Sequence, residues 1–286
     1  MEGPKVSSPG ADHDPTLDER MENWIVGIIG IIGLLALALG FLFIVGREVF
    51  DMVGIIGHSI APMGRRDRVL LEQHSAFYRR LSSDRQREFR RRVKEFVYEK
   101  HWVGKDIKLT REMKVRISAT AVQLTFGLEP LLLLHFGSII IYPDVYRDRH
   151  SGDLYKGATY VRRGTIALSW KHFIEGGADL TDAVHLGLHE MAHALWLENR
   201  IPNEEDDFLD PAALADWNRL AMTEIQMVRA GESRLFRRYA GTNEAEFFAC
   251  AVEYFFECTA AFKEKMPAEY DAMCGLLKQD PTKNPG

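Results

Sequence analysis

A run of 22 residues, from position 24 to position 45, carries no charged side chain and constrains this chain more than any other feature. A helix of that length spans the hydrocarbon core of a bilayer, which requires about 20 apolar residues. A buried core helix rarely stays apolar on every face, and a secretory signal peptide begins with basic residues, whereas acidic residues dominate the segment before position 24. We therefore expect a transmembrane helix over residues 24–46, which contacts the membrane through residues 24–45.

The charges beside this segment predict its orientation. Only Lys5 and Arg20 precede it, whereas several arginines follow it, beginning with Arg47. Basic residues of short flanking segments stay on the cytoplasmic side of a membrane. We expect a single-pass membrane protein with its N-terminus outside and its main domain in the cytoplasm.

Composition divides the chain into five segments. We expect an acidic flexible tail over residues 1–23, the transmembrane helix over 24–46, and a juxtamembrane linker over 47–64 whose apolar stretch is too short to span again. One globular domain is expected over residues 65–280, and a flexible tail over 281–286. The net charge of -5 provides no general basic surface, so we do not expect nucleic acid as a ligand.

The cysteines argue against two kinds of cross-link. Their number is odd and no two stand in a CxxC pattern, which disfavours both a disulfide framework and a thiolate zinc site. Reduced, mostly buried thiols agree with a cytoplasmic domain. The three residues are Cys250, Cys258 and Cys274.

Hydrophobic periodicity predicts a mostly helical domain. Apolar residues recur at helical spacing within residues 77–97, which predicts one or two amphipathic helices with a break near Ser82. A further helix is predicted over residues 117–124. The chain is predicted to be helical again from Asp182, a residue type favoured at helix N-caps.

Short strands are predicted between these helices. Residues 138–142 form an apolar run closed by Pro143, and residues 158–163 and 165–170 predict a hairpin that turns at Gly164. The fold class is therefore predicted to be α+β, with helices around a small sheet.

His189, Glu190 and His193 form an HExxH pattern inside an apolar segment that predicts a buried helix. Positions i and i+4 share one helix face, so both imidazoles can reach one metal ion about 2 Å away. Glu190 projects about 100° around the axis, towards a water on that ion, where it can act as a general base. Such a short pattern also arises by chance, and a buried histidine is often only a core residue. A catalytic zinc site needs a third protein ligand and an open position for water.

The third ligand must lie elsewhere in the chain. The longer pattern HExxHxxGxxH is excluded, because position 199 is Asn199. The apolar run over residues 243–256 offers Glu246 and Glu253, which share one helix face. A carboxylate buried in such a helix is costly unless it is paired or coordinated, so a metal is a candidate partner for at least one of them. The alternative is that both face solvent along a narrow polar stripe.

The sequence resembles the Mlc titration factor A family of zinc metallopeptidases over roughly residues 81–281. The HExxH helix and residues 239–249 carry this resemblance, together with shorter matches at residues 142–143 and 168–170. Tyr239 stands seven residues before Glu246, as in that family. The resemblance implies a zincin-type domain similar to the catalytic core of the lethal-factor toxin, here in a membrane-anchored member.

The resemblance also implies roles for five residues. It places Zn²⁺ on His189, His193 and Glu246, makes Glu190 the general base, and assigns oxyanion stabilisation to the hydroxyl of Tyr239. These roles are chemically reasonable, because two neutral imidazoles and one carboxylate leave the ion a positive charge that acidifies a bound water. A phenol can stabilise charge that develops only during the reaction.

Two positions depart from the pattern of the soluble members. Trp196 stands where many of them have Asp, and His185 stands where Asn is frequent. Both concern the surroundings of the metal, where hydrogen-bond partners tune affinity. His185 is either a further metal contact or, as its position one turn earlier favours, a hydrogen-bonding or core residue.

Two functions from different classes follow. The first is a membrane-anchored zinc peptidase that acts on a peptide or protein substrate, with an aminopeptidase preference implied by the resemblance. If residues 165–170 form an exposed edge strand, they could bind the substrate backbone. The alternative is a membrane-held protein that sequesters a cytoplasmic transcriptional regulator, because the family is named for titrating a repressor. Purely structural zinc is disfavoured, since such sites close the fourth position with another Cys or His.

Overall fold

The chain divides into two compact units, residues 1–60 and 61–286. The computed structural model describes residues 62–129, 133–148, 152–178, 182–201 and 208–283, and in the first unit only Trp24, Gly40 and Phe41.

The three described residues of the first unit are helical and exposed. The rest of the predicted tail and transmembrane helix lies outside the described residues, as do most of the predicted linker and residues 284–286. Among the residues that the structure does describe, no helix has both the length and the apolar character needed to cross a membrane.

The described part of the second unit is mostly helical with a small sheet, which confirms the predicted α+β class. Its ten helices are α1 (Arg65–His74), α2 (Ala76–Arg80), α3 (Ser83–Glu99), α4 (Arg111–Thr125), α5 (Trp170–Gly176), α6 (Leu186–Glu198), α7 (Pro211–Ala230), α8 (Glu244–Glu257), α9 (Thr259–Lys265) and α10 (Pro267–Leu277). Its six strands are β1 (His101–Gly104), β2 (Ser138–Tyr142), β3 (Tyr146–Arg147), β4 (Leu154–Tyr155), β5 (Gly157–Tyr160) and β6 (Thr165–Ser169).

Polar side chains fix where several of these helices begin. Ser82, Thr110 and Asn243 each accept a hydrogen bond from the backbone N–H three residues later, which satisfies one of the unpaired donors of the first turn. Asp210 does the same for α7, which has Pro211 in its first turn. The helix break predicted near Ser82 is confirmed, and α4 contains the predicted helix over residues 117–124.

The main sheet has the strand order β1-β2-β6-β5. Its first three strands are parallel, and β5 runs antiparallel to β6. The predicted turn at Gly164 is confirmed, because this residue has a φ of 53° and a side chain there would meet the carbonyl oxygen of His135 at 2.3 Å. The hairpin is shorter than predicted, since Val161–Arg163 forms a 3₁₀ turn and Trp170 begins α5.

Residues 165–170 do not form an exposed edge, so the condition set for substrate binding by this strand is not met. Strand β6 lies between β2 and β5, and all five of its side chains are buried. The physical reason is its composition. Each residue from Thr165 to Ser169 is either small or apolar, which suits a strand that is covered on both faces. The edge strand on this side of the sheet is β5.

The predicted N-cap of the HExxH helix is also wrong. Asp182 accepts a hydrogen bond from the backbone of Val184, and Ala183 has a φ of 52°, so the chain is not helical there. Helix α6 begins at Leu186, and its N-cap is His185, whose Nδ1 accepts a hydrogen bond from the backbone N–H of Leu188 at 3.1 Å.

Helices α6 and α8 pack side by side in the core, and this contact assembles the site. Trp196 of α6 stacks on Phe248 of α8, with ring centroids 5.0 Å apart. Trp217 of α7 stacks on Phe247 of α8, with ring centroids 5.7 Å apart. Strands β5 and β6 also pack against α6, so the HExxH helix lies between the sheet and α8.

Candidate active site

Helices α6 and α8 bring the three predicted metal ligands together. His189 and His193 lie one turn apart on α6, with their Nε2 atoms separated by 3.1 Å. Oε2 of Glu246, on α8, lies 3.2 Å from Nε2 of His189 and 3.4 Å from Nε2 of His193. The three ligand atoms therefore form a nearly equilateral triangle.

This triangle fits a zinc ion. With bonds of about 2.0–2.1 Å in a tetrahedral arrangement, neighbouring ligand atoms lie roughly 3.3–3.4 Å apart. Oε2 of Glu246 is buried and makes no well-oriented hydrogen bond within the described part of the chain, so a cation between the three side chains would satisfy it. Two imidazoles and one carboxylate leave the fourth position open, as catalytic zinc sites do.

The position of Glu246 is set by the start of its helix. Asn243 caps α8 by accepting a hydrogen bond from the backbone N–H of Glu246 at 2.9 Å. Glu244, two residues earlier, instead forms an ion pair with Arg200 at 2.9 Å, and both side chains of this pair are about half exposed.

Glu253 is a buried carboxylate that contacts the candidate ligand His189. Its side chain is only 3% exposed, and its Oε2 lies 3.5 Å from Nδ1 of His189. It also accepts hydrogen bonds from the backbone N–H of His185 at 3.0 Å and from the guanidinium of Arg237 at 3.1 Å. These contacts turn Nε2 of His189 towards the other ligands. Arg237 cannot be predicted from the sequence, because no spacing pattern marks it.

A second group of potential ligand atoms consists of His189, Cys250 and Glu253, which lie within 4.8 Å of one another. Glu253 already accepts hydrogen bonds from the backbone of His185 and from Arg237, whereas Oε2 of Glu246 is buried and accepts none that is well oriented within the described residues. The triangle of two histidines and Glu246 is therefore the better metal site. None of the three cysteines, all within the described residues, forms a disulfide.

Carboxylates control the charge of His189. Burial alone would lower the pKa of this imidazole, but the neighbouring carboxylates of Glu246 and Glu253 outweigh burial and raise the pKa to about 10. For Glu246 itself, burial opposes ionisation, and contacts with both histidines nevertheless hold its pKa well below the usual range. The site thus stabilises a negative carboxylate beside a positive partner, which a metal ion can replace.

Glu190 lies beside the metal triangle and is 4% exposed. Burial raises its pKa, while the two ligand histidines and the hydroxyl of Thr159 act in the opposite direction. Oγ1 of Thr159 lies 3.0 Å from Oε2 of Glu190. The predicted base is therefore a buried carboxyl group held next to the ligands.

Tyr239 stands in the 3₁₀ turn Arg238–Gly241, directly before α8, and is 53% exposed. Its ring centroid is 6.1 Å from that of His189. Burial of its inner side and the carboxylate of Glu246 raise the pKa of its hydroxyl, so it stays protonated and can donate a hydrogen bond.

A cleft of about 510 Å³ opens in front of these side chains. Its floor includes His189 and Glu190, and Tyr239 contributes to its wall. Leu154 and Gly157 line it from the sheet side, at strands β4 and β5. The cleft is large enough to admit part of a peptide.

The two departures from the family pattern lie outside the ligand triangle. His185 caps α6, and burial lowers its pKa to about 4, so it is neutral. Trp196 is buried against Phe248, and the guanidinium of Arg200 covers its ring at 4.2 Å. Both residues hold α6 in place, and neither is among the clustered ligand atoms.

Comparison with known proteins identifies the family of this chain. The chain is 28% identical to Mlc titration factor A of Yersinia pestis (strain Pestoides F) over 193 residues, which cover 60% of this chain and 69% of that protein. The same figures hold for Mlc titration factor A of Yersinia pseudotuberculosis serotype O:1b (strain IP 31758). The model of the family described as Glucose-regulated metallo-peptidase M90 matches residues 58–277, which include every candidate site residue. The chain therefore belongs to the Glucose-regulated metallo-peptidase M90 family.

Proposed function

We propose that this chain is a zinc-dependent peptidase that hydrolyses peptide bonds in the cleft beside α6. The observation that carries the proposal is the triangle of His189, His193 and Glu246 with the buried carboxyl group of Glu190 beside it. A structural metal site has no need of such a group, whereas hydrolysis requires a base next to the attacking water.

Each residue of the site has a task in this reaction. Zinc held by the three ligands would supply a Lewis acid that polarises the scissile carbonyl and lowers the pKa of water. Glu190 takes a proton from the attacking water and returns it to the departing amine as the C–N bond breaks. The hydroxyl of Tyr239 donates a hydrogen bond to the carbonyl oxygen as negative charge develops there.

Strand β5 is the proposed binding edge for the substrate backbone. It is the edge strand next to α6, and Gly157 within it lines the cleft together with Glu190. An extended peptide can add to such an edge through main-chain hydrogen bonds. The proposed aminopeptidase preference is supported by two further carboxylates in the same cleft, Glu175 and Asp182, which could hold a free amino terminus.

The test is a Glu190→Gln variant assayed on a peptide library. The amide is nearly isosteric with the carboxyl group but cannot accept the proton of water, so hydrolysis should fall by about 10²-fold or more while zinc content stays the same. Glu198→Gln is the matched control, since Glu198 is equally buried on α6 but accepts its hydrogen bond from the backbone of His135, away from the cleft. Equal turnover in wild type and Glu190→Gln would overturn the proposed mechanism.

The aminopeptidase preference has its own test. Each cleaved peptide is compared with its N-acetylated form, which has lost the positive charge of the amino terminus. A free amino terminus should raise kcat/KM by about tenfold or more if the cleft carboxylates bind it. Equal cleavage of both forms would identify an enzyme that does not require the amino terminus.

Membrane anchoring through residues 24–45 is also part of the proposal. Its support is the run without charged side chains, in which the helical residues Trp24 and Phe41 are 74% and 69% exposed. The arginines that follow support an N-terminus outside and a catalytic domain in the cytoplasm. Reporter fusions at each terminus would test this orientation, and a cytoplasmic signal from both ends would contradict it.

The alternative function is sequestration of a cytoplasmic transcriptional regulator by the membrane-held domain. The observation in its favour is the name of the relatives, Mlc titration factor A. Binding of a purified repressor of the Mlc type to wild type and to Glu190→Gln would separate the two functions. Tight binding to both proteins without any peptide hydrolysis would favour sequestration over catalysis.

A further inference from the structure

We infer that strand β5 positions the general base: Thr159 holds the carboxyl group of Glu190, and Gly157 leaves the space in which that group lies. The inference rests on the proposed function, because it gives Glu190 the role of base. Neither residue belongs to the HExxH pattern or to the second motif on α8.

The hydroxyl of Thr159 is the only side-chain hydroxyl in the described residues that contacts Glu190 within hydrogen-bond distance. Its Oγ1 lies 3.0 Å from Oε2 of Glu190 and 3.2 Å from the carbonyl oxygen of the same residue. The shorter contact is to the carboxylate, and a hydrogen bond to a charged acceptor is the stronger of the two. Thr159 therefore restricts rotation of the carboxyl group about its last bond.

Gly157 acts by the absence of a side chain. A Cβ at this position would lie 2.6 Å from Oε1 of Glu190, 2.8 Å from its Cγ, and 2.8 Å from Cδ1 of Leu186. Contacts this short do not occur, so any other residue would force the carboxyl group to move. Two residues of one strand thus determine where the oxygen atoms of Glu190 lie. Gly157 leaves space for Oε1, and Thr159 donates a hydrogen bond to Oε2.

The sheet makes this support rigid. Residues i and i+2 of a strand point to the same face, so Gly157 and Thr159 face α6 together. Their partners on β6 are Leu168 and Ile166, both fully buried. The strand cannot slip by one residue without turning both positions away from Glu190.

Orientation matters because a general base must lie within hydrogen-bond reach of the proton that it accepts. A glutamate has three side-chain torsions, and without Thr159 its buried carboxyl group could adopt orientations that do not point to the attacking water. Substrate binding and zinc coordination use other atoms. Loss of the hydroxyl should therefore lower kcat and leave KM and zinc affinity nearly unchanged.

The first experiment compares Thr159→Val, Thr159→Ser and wild type. Valine keeps the shape and removes the hydroxyl, so kcat should fall by roughly 10-fold to 100-fold, part of the 10²–10⁴ that a positioned base contributes. Serine restores the hydroxyl and should recover most of the rate. Thr165→Val is the matched control, because the hydroxyl of Thr165 lies on the neighbouring strand and donates to the backbone of Arg163.

Crystal structures of the zinc-loaded variants give a readout that does not depend on activity. In Thr159→Val and in Gly157→Ala the carboxyl group of Glu190 should be rotated or displaced, while the two histidines and Glu246 keep their positions. Gly157→Ala should also lose more activity than Thr165→Val. If Thr159→Val or Gly157→Ala fails to fold, Thr159→Ser remains as a test. A Thr159→Ser variant that is inactive, although it keeps the hydroxyl, would count against the inference.

The outcomes separate the inference from the proposed function. Unchanged kcat in Thr159→Val, with wild type active, would overturn the inference and leave the peptidase proposal standing. If wild type hydrolyses no peptide, the proposed function fails, and the orientation of Glu190 in the Thr159→Val crystal still decides whether β5 positions it.

Discussion

At the scale of single residues, the site depends on which glutamate of α8 faces the histidines. Glu244 lies about 160° around the helix axis from Glu246, and Glu253 lies two turns, about 10 Å, farther along. The contacts agree with this geometry. Glu246 approaches both Nε2 atoms, Glu253 approaches Nδ1 of His189 from the other side, and Glu244 pairs with Arg200.

Three alanine variants of these glutamates should differ sharply in zinc affinity. Glu246→Ala should abolish tight binding, because it removes one of three protein ligands. Glu253→Ala should weaken binding by about 10–100-fold, since it orients His189 without being a ligand. Glu244→Ala is the matched control and should leave the affinity nearly unchanged. Zinc titration against a competing chelator measures all three.

The order of the three affinities is the critical result. If Glu253→Ala lost zinc while Glu246→Ala kept it, the register of α8 against α6 would be wrong by two turns, and the role given to Tyr239 would fail with it. Equal losses in all three variants would instead indicate a general effect on the stability of the helix.

Sequence could predict part of this site and not the rest. His189, Glu190 and His193 follow from helical spacing, which is a local property of the chain. The choice of Glu246 as the third ligand required the family resemblance, because the packing of α8 on α6 joins residues that are far apart in sequence. Thr159 was missed for the same reason, since its contact with Glu190 spans 31 positions and no local pattern marks it.

At the scale of elements, local patterns predicted the helices and strands but not their neighbours. Ser82 and Gly164 mark the ends of elements by their own chemistry, and both positions were predicted correctly. Strand order is a property of the assembled sheet, so no local pattern shows that β6 lies between β2 and β5. Asp182 belongs to a residue type that is favoured at helix N-caps. The backbone N–H of His185, however, donates a hydrogen bond to Glu253, and the helix begins after His185.

The N-terminus of α6 predicts a pH dependence of stability. His185 can accept a hydrogen bond from Leu188 only when its imidazole is neutral, and burial lowers its pKa to about 4. In the unfolded chain the pKa of histidine is about 6.5, so the unfolded state binds this proton more readily. The contribution of His185 to stability should therefore fall as the pH drops from about 6.5 towards about 4, by about 2 kcal/mol between pH 7 and pH 5.

His185→Asn should remove this part of the loss. Asparagine is a preferred N-cap and does not titrate, so the helix start is retained while the proton linkage disappears. Urea unfolding of both proteins at pH 7 and pH 5, with a chelator present to exclude metal release, measures the difference. The same loss of stability at pH 5 in both proteins would contradict the assignment to His185.

At the scale of the whole molecule, the residues proposed for zinc binding and catalysis all lie in the second compact unit, residues 61–286. The family model matches residues 58–277, nearly the same part of the chain. The first unit contains the proposed membrane segment and no candidate site residue. Removal of the proposed membrane segment should therefore leave zinc binding and catalysis intact.

Removal of residues 1–46 should test this separation. The truncated chain should be soluble without detergent, bind about one zinc per molecule and retain peptide hydrolysis, because the three ligands, Glu190 and Tyr239 all remain. The full chain should instead sediment with membranes and require detergent for extraction, since the apolar run of residues 24–45 is long enough to span a bilayer. Membrane fractionation, metal analysis and a peptide assay on both proteins measure these properties. A full chain that stays in the soluble fraction would contradict the anchor, whereas a truncated chain that aggregates or loses zinc would mean that the first unit stabilises the site.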